Sequence, residues 1–221
     1  MSDIKGVLFD AGGTLVVIDP SVVNGLLQQE GAAPVSEELQ RKVHYQAMQE
    51  FSERRTAGED VTWEAWVHRY FGLLGLDSTS RVAAAFDGGR GAWRHPLPGV
   101  RDALASLRDA HFRLAVVSNS DGTVRDSLTE AGLVDFMEFV IDSHELGVSK
   151  PDPRIFQVAG ERMGIPLEHL LYIGDSPYHD ANGAVAAGFG EVLLVDPFDT
   201  AGTQYPTVKG VAELPGWFGL L

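Results

Sequence analysis

Short apolar runs recur along the chain, each ending in a turn signal and followed by a stretch of helical periodicity. This alternation narrows the fold more than any other feature. The runs are Gly6-Val7-Leu8-Phe9, Leu114-Ala115-Val116-Val117, Phe139-Val140-Ile141, Leu170-Leu171-Tyr172-Ile173 and Glu191-Val192-Leu193-Leu194-Val195. A strand covered on both faces needs continuous rather than alternating hydrophobicity, so these runs read as buried parallel strands. Between them, residues 100–110, 123–131 and 153–163 carry apolar side chains at helical spacing. The pattern predicts an α/β fold built on a doubly wound, Rossmann-like parallel sheet.

About a hundred residues separate the first two runs, far more than one crossover helix takes, so an inserted subdomain is expected there. Its sequence reads as entirely helical. One helix starts near Ser36, with Glu37 and Glu38 favourably placed in its first turn, and carries Leu39, Val43, Ala47, Met48 and Phe51 on one side. Another starts near Thr62, sets Trp63, Trp66, Val67, Tyr70, Phe71 and Leu74 at i, i+3, i+4 spacing, and stops at Gly75. This aromatic stripe reads as the insert's own core in preference to a ligand wall. The expected division is a core of residues 1–15 and 97–221 around an insert at 16–96, with Pro96-Leu97-Pro98-Gly99 as the return linker. Beyond the last run, the Pro-, Gly- and Thr-rich residues 196–216 and Trp217-Phe218 read as a tail docked on the core.

Seventeen basic side chains against 31 acidic ones give a net charge of -14, which repels nucleic acids and anionic membranes. The absence of cysteine removes disulfides, thiolate metal sites and cysteine nucleophiles. No apolar run approaches bilayer length, and Met1–Lys5 leads into no signal-peptide core, so a cytoplasmic location is expected. The same negative field opposes a phosphorylated metabolite. A site for one must therefore be locally positive, through a metal, a lysine or helix N-termini.

Ligands of open parallel sheets bind beyond the carboxyl ends of the strands. Those ends read Asp10-Ala11-Gly12-Gly13-Thr14-Leu15, Ser118-Asn119-Ser120, Ser149-Lys150-Pro151-Asp152-Pro153 and Gly174-Asp175-Ser176-Pro177-Tyr178-His179-Asp180. Asp10 is a candidate nucleophile, and the glycines behind it permit a tight turn with N–H groups facing an anion. Ser118 and Asn119 offer polar donors, and Lys150 a fixed positive charge. Asp10 and Asp175 would repel each other at one spot unless a divalent cation lay between them, and Mg²⁺ favours such oxygen ligands.

Taken in order, these segments resemble the four motifs of the haloacid dehalogenase superfamily, and the insert looks like the cap of its helical-cap branch. The resemblance spans nearly the whole chain. It implies a Mg²⁺-dependent phosphatase for a small phosphorylated metabolite, working through an aspartyl-phosphate on Asp10. It further implies Mg²⁺ held by Asp10, the Gly12 carbonyl and Asp175. Gly13, Thr14, Ser118 and Lys150 would bind phosphate, with Asn119 as an additional donor. Asp180 matches the further acidic residue of the fourth motif, and equally reads as a cap on a helix from Ala181.

One position departs from the pattern. Family phosphatases carry a second aspartate two residues after the nucleophile, where it protonates the leaving group, and here that position is Gly12. Such an acid contributes on the order of a hundred- to ten-thousand-fold in rate. A phosphatase would then need a good leaving group or a proton donor from the cap. His44 and His68 qualify by residue type, although a surface histidine on a helix is the plainer reading of each. Haloacid dehalogenases also lack that aspartate and need no metal, but the retained Asp175 would then only repel Asp10. The phosphonate-cleaving branch uses a cap lysine, and the context of Lys42 does not resemble it. A catalytically weakened binding protein is a further alternative, opposed by retention of Asp10, Thr14, Ser118, Lys150 and Asp175. The sequence leaves oligomeric state open.

Overall fold

The computed structural model describes residues 3–76, 91–200 and 202–220, so the part of the expected insert at 77–90 lies outside the described residues. In chain order the strands are β1 (Gly6–Phe9), β2 (Val16–Ile18), β3 (Trp93–Pro96), β4 (Arg113–Ser118), β5 (Val140–Asp142), β6 (Leu170–Gly174), β7 (Glu191–Val195) and β8 (Thr207–Val208). Six of them form one parallel sheet in the order β5-β4-β1-β6-β7-β8, an α/β Rossmann-like arrangement with β1 at its centre.

The continuous apolar runs serve both faces of this sheet. Val7, Phe9, Val116, Leu171 and Ile173 point to one side, among Leu104 and Leu107 of a helix over Val100–Asp109. Leu8, Ala115, Val117, Leu170 and Tyr172 point to the other, among Ile155, Phe156, Ala159 and Met163 of a helix over Pro153–Met163. Fully burying each such Leu, Ile or Phe contributes roughly 1.5–3 kcal/mol, which fixes strand register and with it the residue that ends each strand.

The insert holds helices α1 (Pro20–Gln29), α2 (Glu37–Thr56) and α3 (Trp63–Leu73). Ser36 caps α2 by accepting from the Leu39 N–H at 3.2 Å, and Glu37 and Glu38 lie in its first turn. Val43, Ala47, Met48, Phe51, Trp66, Tyr70 and Phe71 form a separate apolar cluster with Val23 and Leu27 of α1, whereas Leu39 is exposed. Among the described residues, no helix is long and apolar enough to cross a membrane.

Two expectations need correction. The insert is not entirely helical, because β2 and β3 pair antiparallel, Val16 opposite Pro96 and Val17 opposite His95, into a two-stranded stem. The tail is not merely docked, because Thr207 and Val208 add β8 beside Leu194 and Val195 of β7. Both elements are too short to register as a pattern, and pairing with a partner rather than propensity creates them.

Candidate active site

The turn after β1 leaves Asp10 at the carboxyl edge of the sheet, anchored by its N–H to the Ile173 carbonyl of β6 at 2.9 Å. Lys150 arrives from the loop after β5. Its Nζ lies 2.6 Å from Asp10 Oδ1, 2.6 Å from Asp180 Oδ1 and 3.1 Å from the Tyr172 hydroxyl, and the side chain is buried. Asn119 positions this lysine. Its Oδ1 accepts the Lys150 N–H at 2.8 Å and its Nδ2 donates to the Lys150 carbonyl at 2.9 Å. The amide expected to face a phosphate is thus largely engaged with protein backbone, while Ser118 at the end of β4 lines the cavity.

Asp180 holds the other side of Lys150. Its Oδ2 accepts the N–H groups of Asp175 (3.2 Å) and Ser176 (2.9 Å), and its Oδ1 also accepts from the Tyr172 hydroxyl at 3.0 Å. Gly174 permits this return, since a Cβ there would stand 2.3 Å from Asp180 Cγ. The alternative of a helix cap fails. Ser176, not Asp180, caps the helical turn over Pro177–Ala181 by accepting from the His179 N–H at 3.1 Å, and no side chain caps the following helix.

Asp175 meets a residue from the insert. His44 of α2 is buried, and its Nε2 lies 2.7 Å from Asp175 Oδ2. Gly13, with φ of +73°, makes room for the pair: a Cβ there would stand 2.1 Å from Asp175 Oδ2 and 2.4 Å from His44 Nε2. Tyr45 donates its hydroxyl to the Gly13 carbonyl at 2.7 Å, and Ser52 meets Ser176 at 3.1 Å. The surface reading of His44 is therefore corrected, while that of His68 holds, on the exposed side of α3 beside Glu64. Gly13 and Thr14 do not line the cavity. The Gly13 N–H donates to the Val16 carbonyl at 2.8 Å, and the fully buried Thr14 hydroxyl has no hydrogen-bond partner among the described residues.

Burial dominates the electrostatics. It pushes the Asp10 carboxyl up to about 7; the Lys150 charge opposes the rise, and Asp180 and Asp175 add to it. Burial likewise raises Asp175, against the pull of His44. For Lys150, burial favours the neutral amine, but Asp10 and Asp180 outweigh it and hold the ammonium charged. Burial lowers His179 to about 4, with Asp180 opposing. One carboxylate oxygen each from Asp10, Asp175 and Asp180 gather within 4.8 Å of one another, an all-oxygen set suited to a hard cation.

These groups open into a cavity of about 510 Å³. Its polar lining includes Ser118, Asn119, Ser120, Ser143 and Lys150, and its apolar lining Val16, Met48, Phe51, Val61, Trp63 and Trp93. The aromatic stripe of α3 therefore divides. Trp66, Tyr70 and Phe71 are insert core, as expected, but Trp63 is 45% exposed and faces the cavity. At Gly12 a Cβ would stand 3.0 Å from two ring carbons of Trp93, so the position is occupied from outside by the stem.

Tyr172 and Trp93 are not singled out by the sequence, and Trp63 belongs to the stripe read there as insert core rather than ligand wall. A hydroxyl inside the run Leu170–Ile173 was the available signal for Tyr172.

Comparison with known proteins agrees with this architecture. The profile of the haloacid dehalogenase-like hydrolases matches residues 4–188. Glyceraldehyde 3-phosphate phosphatase of Methanopyrus kandleri is 28% identical over 86% of this chain and 84% of its own length. (S)-2-haloacid dehalogenase 1 of a Pseudomonas species is 28% identical over 88% and 86%. The magnesium-bound putative HAD-hydrolase YfnB of Bacillus subtilis superimposes with a TM-score of 0.72 over 98% of this chain and 99% of its own, at 22% identity, a likeness of fold alone.

Proposed function

The chain belongs to the haloacid dehalogenase-like hydrolase family, and from that premise we propose a phosphatase for a small phosphorylated metabolite with Asp10 as its nucleophile. The observation that carries this reading is the Asp10 carboxylate, bordering the cavity, with Lys150 at 2.6 Å and two further carboxylates close by. A carboxylate cluster with a single lysine is short of positive charge, and phosphoryl transfer is a reaction in which positioning and charge neutralisation do most of the work. The acidic surface of the remaining molecule fits a small molecule rather than a nucleic acid.

In this mechanism a carboxylate oxygen of Asp10 attacks phosphorus as the bond to the leaving oxygen breaks, and water then cleaves the aspartyl-phosphate to release phosphate. Lys150, held by Asn119, Asp180 and Tyr172, orients Asp10 and opposes the rise that burial imposes on its carboxyl. Ser118 donates to the phosphoryl oxygens from the end of β4. The oxygen donor set fits Mg²⁺, which Asp10, Asp175 and the Gly12 carbonyl would hold and which would supply positive charge at the phosphoryl group. Gly12 offers no proton, so the leaving group must depart readily or take its proton elsewhere.

A second reading, displacement of halide from a 2-haloacid by Asp10, is favoured by the same missing acid, since a halide needs no proton. Acetyl phosphate and p-nitrophenyl phosphate, assayed with Mg²⁺, with EDTA and with Asp10→Asn, separate the two. Turnover that requires both metal and Asp10 supports the phosphatase. Halide release from 2-chloropropionate in EDTA, without phosphate release from either ester, overturns it in favour of the dehalogenase.

A further inference from the structure

We propose that the leaving group is aromatic: the substrate is a phosphate monoester of a phenol-type hydroxyl, whose ring lies against Trp63 and Trp93 while its phosphoryl group meets Asp10. The proposal rests on the phosphatase reading above and names the substrate class of that same site. It stands on two independent observations, one of shape and one of chemistry.

The first is the aromatic wall. Trp63 stacks on Trp66 at 4.4 Å between ring centroids with 9° between planes, and Trp66 stacks in turn on Tyr70 at 5.2 Å and 12°. Trp66 and Tyr70 are buried, so they hold Trp63 as the outermost plate of a rigid column. Trp63 is 45% exposed and lines the cavity, where solvent rather than protein covers its free surface among the described residues. Trp93 stands at 6.1 Å and 48° to it, which makes a corner of two indoles. Offset and inclined ring pairs at such separations are the arrangements aromatic groups prefer. Trp93 also covers Gly12, two residues along the chain from Asp10, and Asp10, Gly12, Trp63 and Trp93 line the same cavity.

The second is the missing acid. When Asp10 attacks, the electron pair of the breaking P–O bond goes to the leaving oxygen. A phenolic oxygen carries it as an anion of pKa about 10 and takes its proton from solvent afterwards, whereas an alkoxide is far more basic and calls for a proton in the transition state. Water then breaks the Asp10–phosphorus bond and releases inorganic phosphate. The aromatic corner adjoins the position that lacks a proton donor: the missing acid calls for a good leaving group, and the corner makes that group a ring.

The test uses the full chain with Mg²⁺. Phenylphosphonate and methylphosphonate are compared as inhibitors of acetyl phosphate hydrolysis. KM is then measured for phenyl phosphate and acetyl phosphate in the parent, Trp63→Ala and Trp63→Leu. The expected result is inhibition at least about tenfold stronger by phenylphosphonate, and a KM for phenyl phosphate raised about three- to tenfold more than that for acetyl phosphate in either variant, with kcat less affected. Equal inhibition by the two phosphonates, or equal KM changes for the two esters, overturns the aromatic assignment while leaving the phosphatase standing. Failure to hydrolyse acetyl phosphate at all overturns both.

Discussion

Replacing Gly12 with alanine in two backgrounds tests whether Trp93 is what closes that position. Gly12 does not adopt the left-handed backbone, so alanine meets no conformational penalty there and would ordinarily stabilise by about 0.4–1 kcal/mol through the unfolded chain. Against this stands the contact of the new Cβ with Trp93 at 3.0 Å, a crowding of the kind that costs about 1–3 kcal/mol in packed sites. The net expectation is a loss near 1 kcal/mol, or a fall in Tm of about 2–4 °C for a chain of this size. In Trp93→Ala the obstruction is gone, and the same change should stabilise. The coupling between the two sites, read from urea unfolding of the four proteins, should reach about 1–3 kcal/mol. Indistinguishable effects of Gly12→Ala in the two backgrounds would falsify the steric account. The catalytic corollary is that Gly12→Asp yields little on alkyl phosphates alone, but on the order of a hundredfold or more when Trp93 is also reduced to alanine.

Lys150→Met keeps the volume but leaves Asp10 and Asp180 facing each other with no cation. A loss of about 3–5 kcal/mol by chemical denaturation and at least a hundredfold in acetyl phosphate hydrolysis is expected, and near-wild-type values of either would contradict the bridging role. Asp10 has a carboxyl raised from 3.8 to about 7 by burial, so its contribution to stability is complete below about pH 4 and is lost as pH rises through about 7. Asp10→Asn should therefore raise the urea midpoint more at pH 8 than at pH 5. A gain independent of pH would show that Asp10 ionises freely in the folded protein.

The sheet was legible because strands covered on both faces write themselves as unbroken apolar runs, and the ends of those runs led to Asp10, Ser118 and Asp175. β8 and the β2–β3 stem were not, since two or three residues carry no period and take their form from a neighbour. Within the site, the limit was sequence distance. His44 and Asp175 are 131 positions apart, and nothing local to either announces the other. Periodicity placed Trp63 and Trp66 in one stripe without separating the plate that faces the cavity from the one beneath it. Asp180 was ambiguous because a carboxylate near a helix start serves equally as a cap, and only the direction of its side chain, back toward Lys150, distinguishes the roles.

The fit at Gly13 bears on how such enzymes can be re-engineered. Helical insertions are attractive modules to exchange between relatives, on the assumption that the insert chooses the substrate and the core does the chemistry. Here α2 places an imidazole and a phenol against the turn that begins at Asp10, and that turn leaves space for the imidazole only because residue 13 lacks a side chain. The smallest transferable piece is therefore neither the insert nor the core loop alone but the two together, and a chimera that swaps one of them inherits a collision or a void at Asp175.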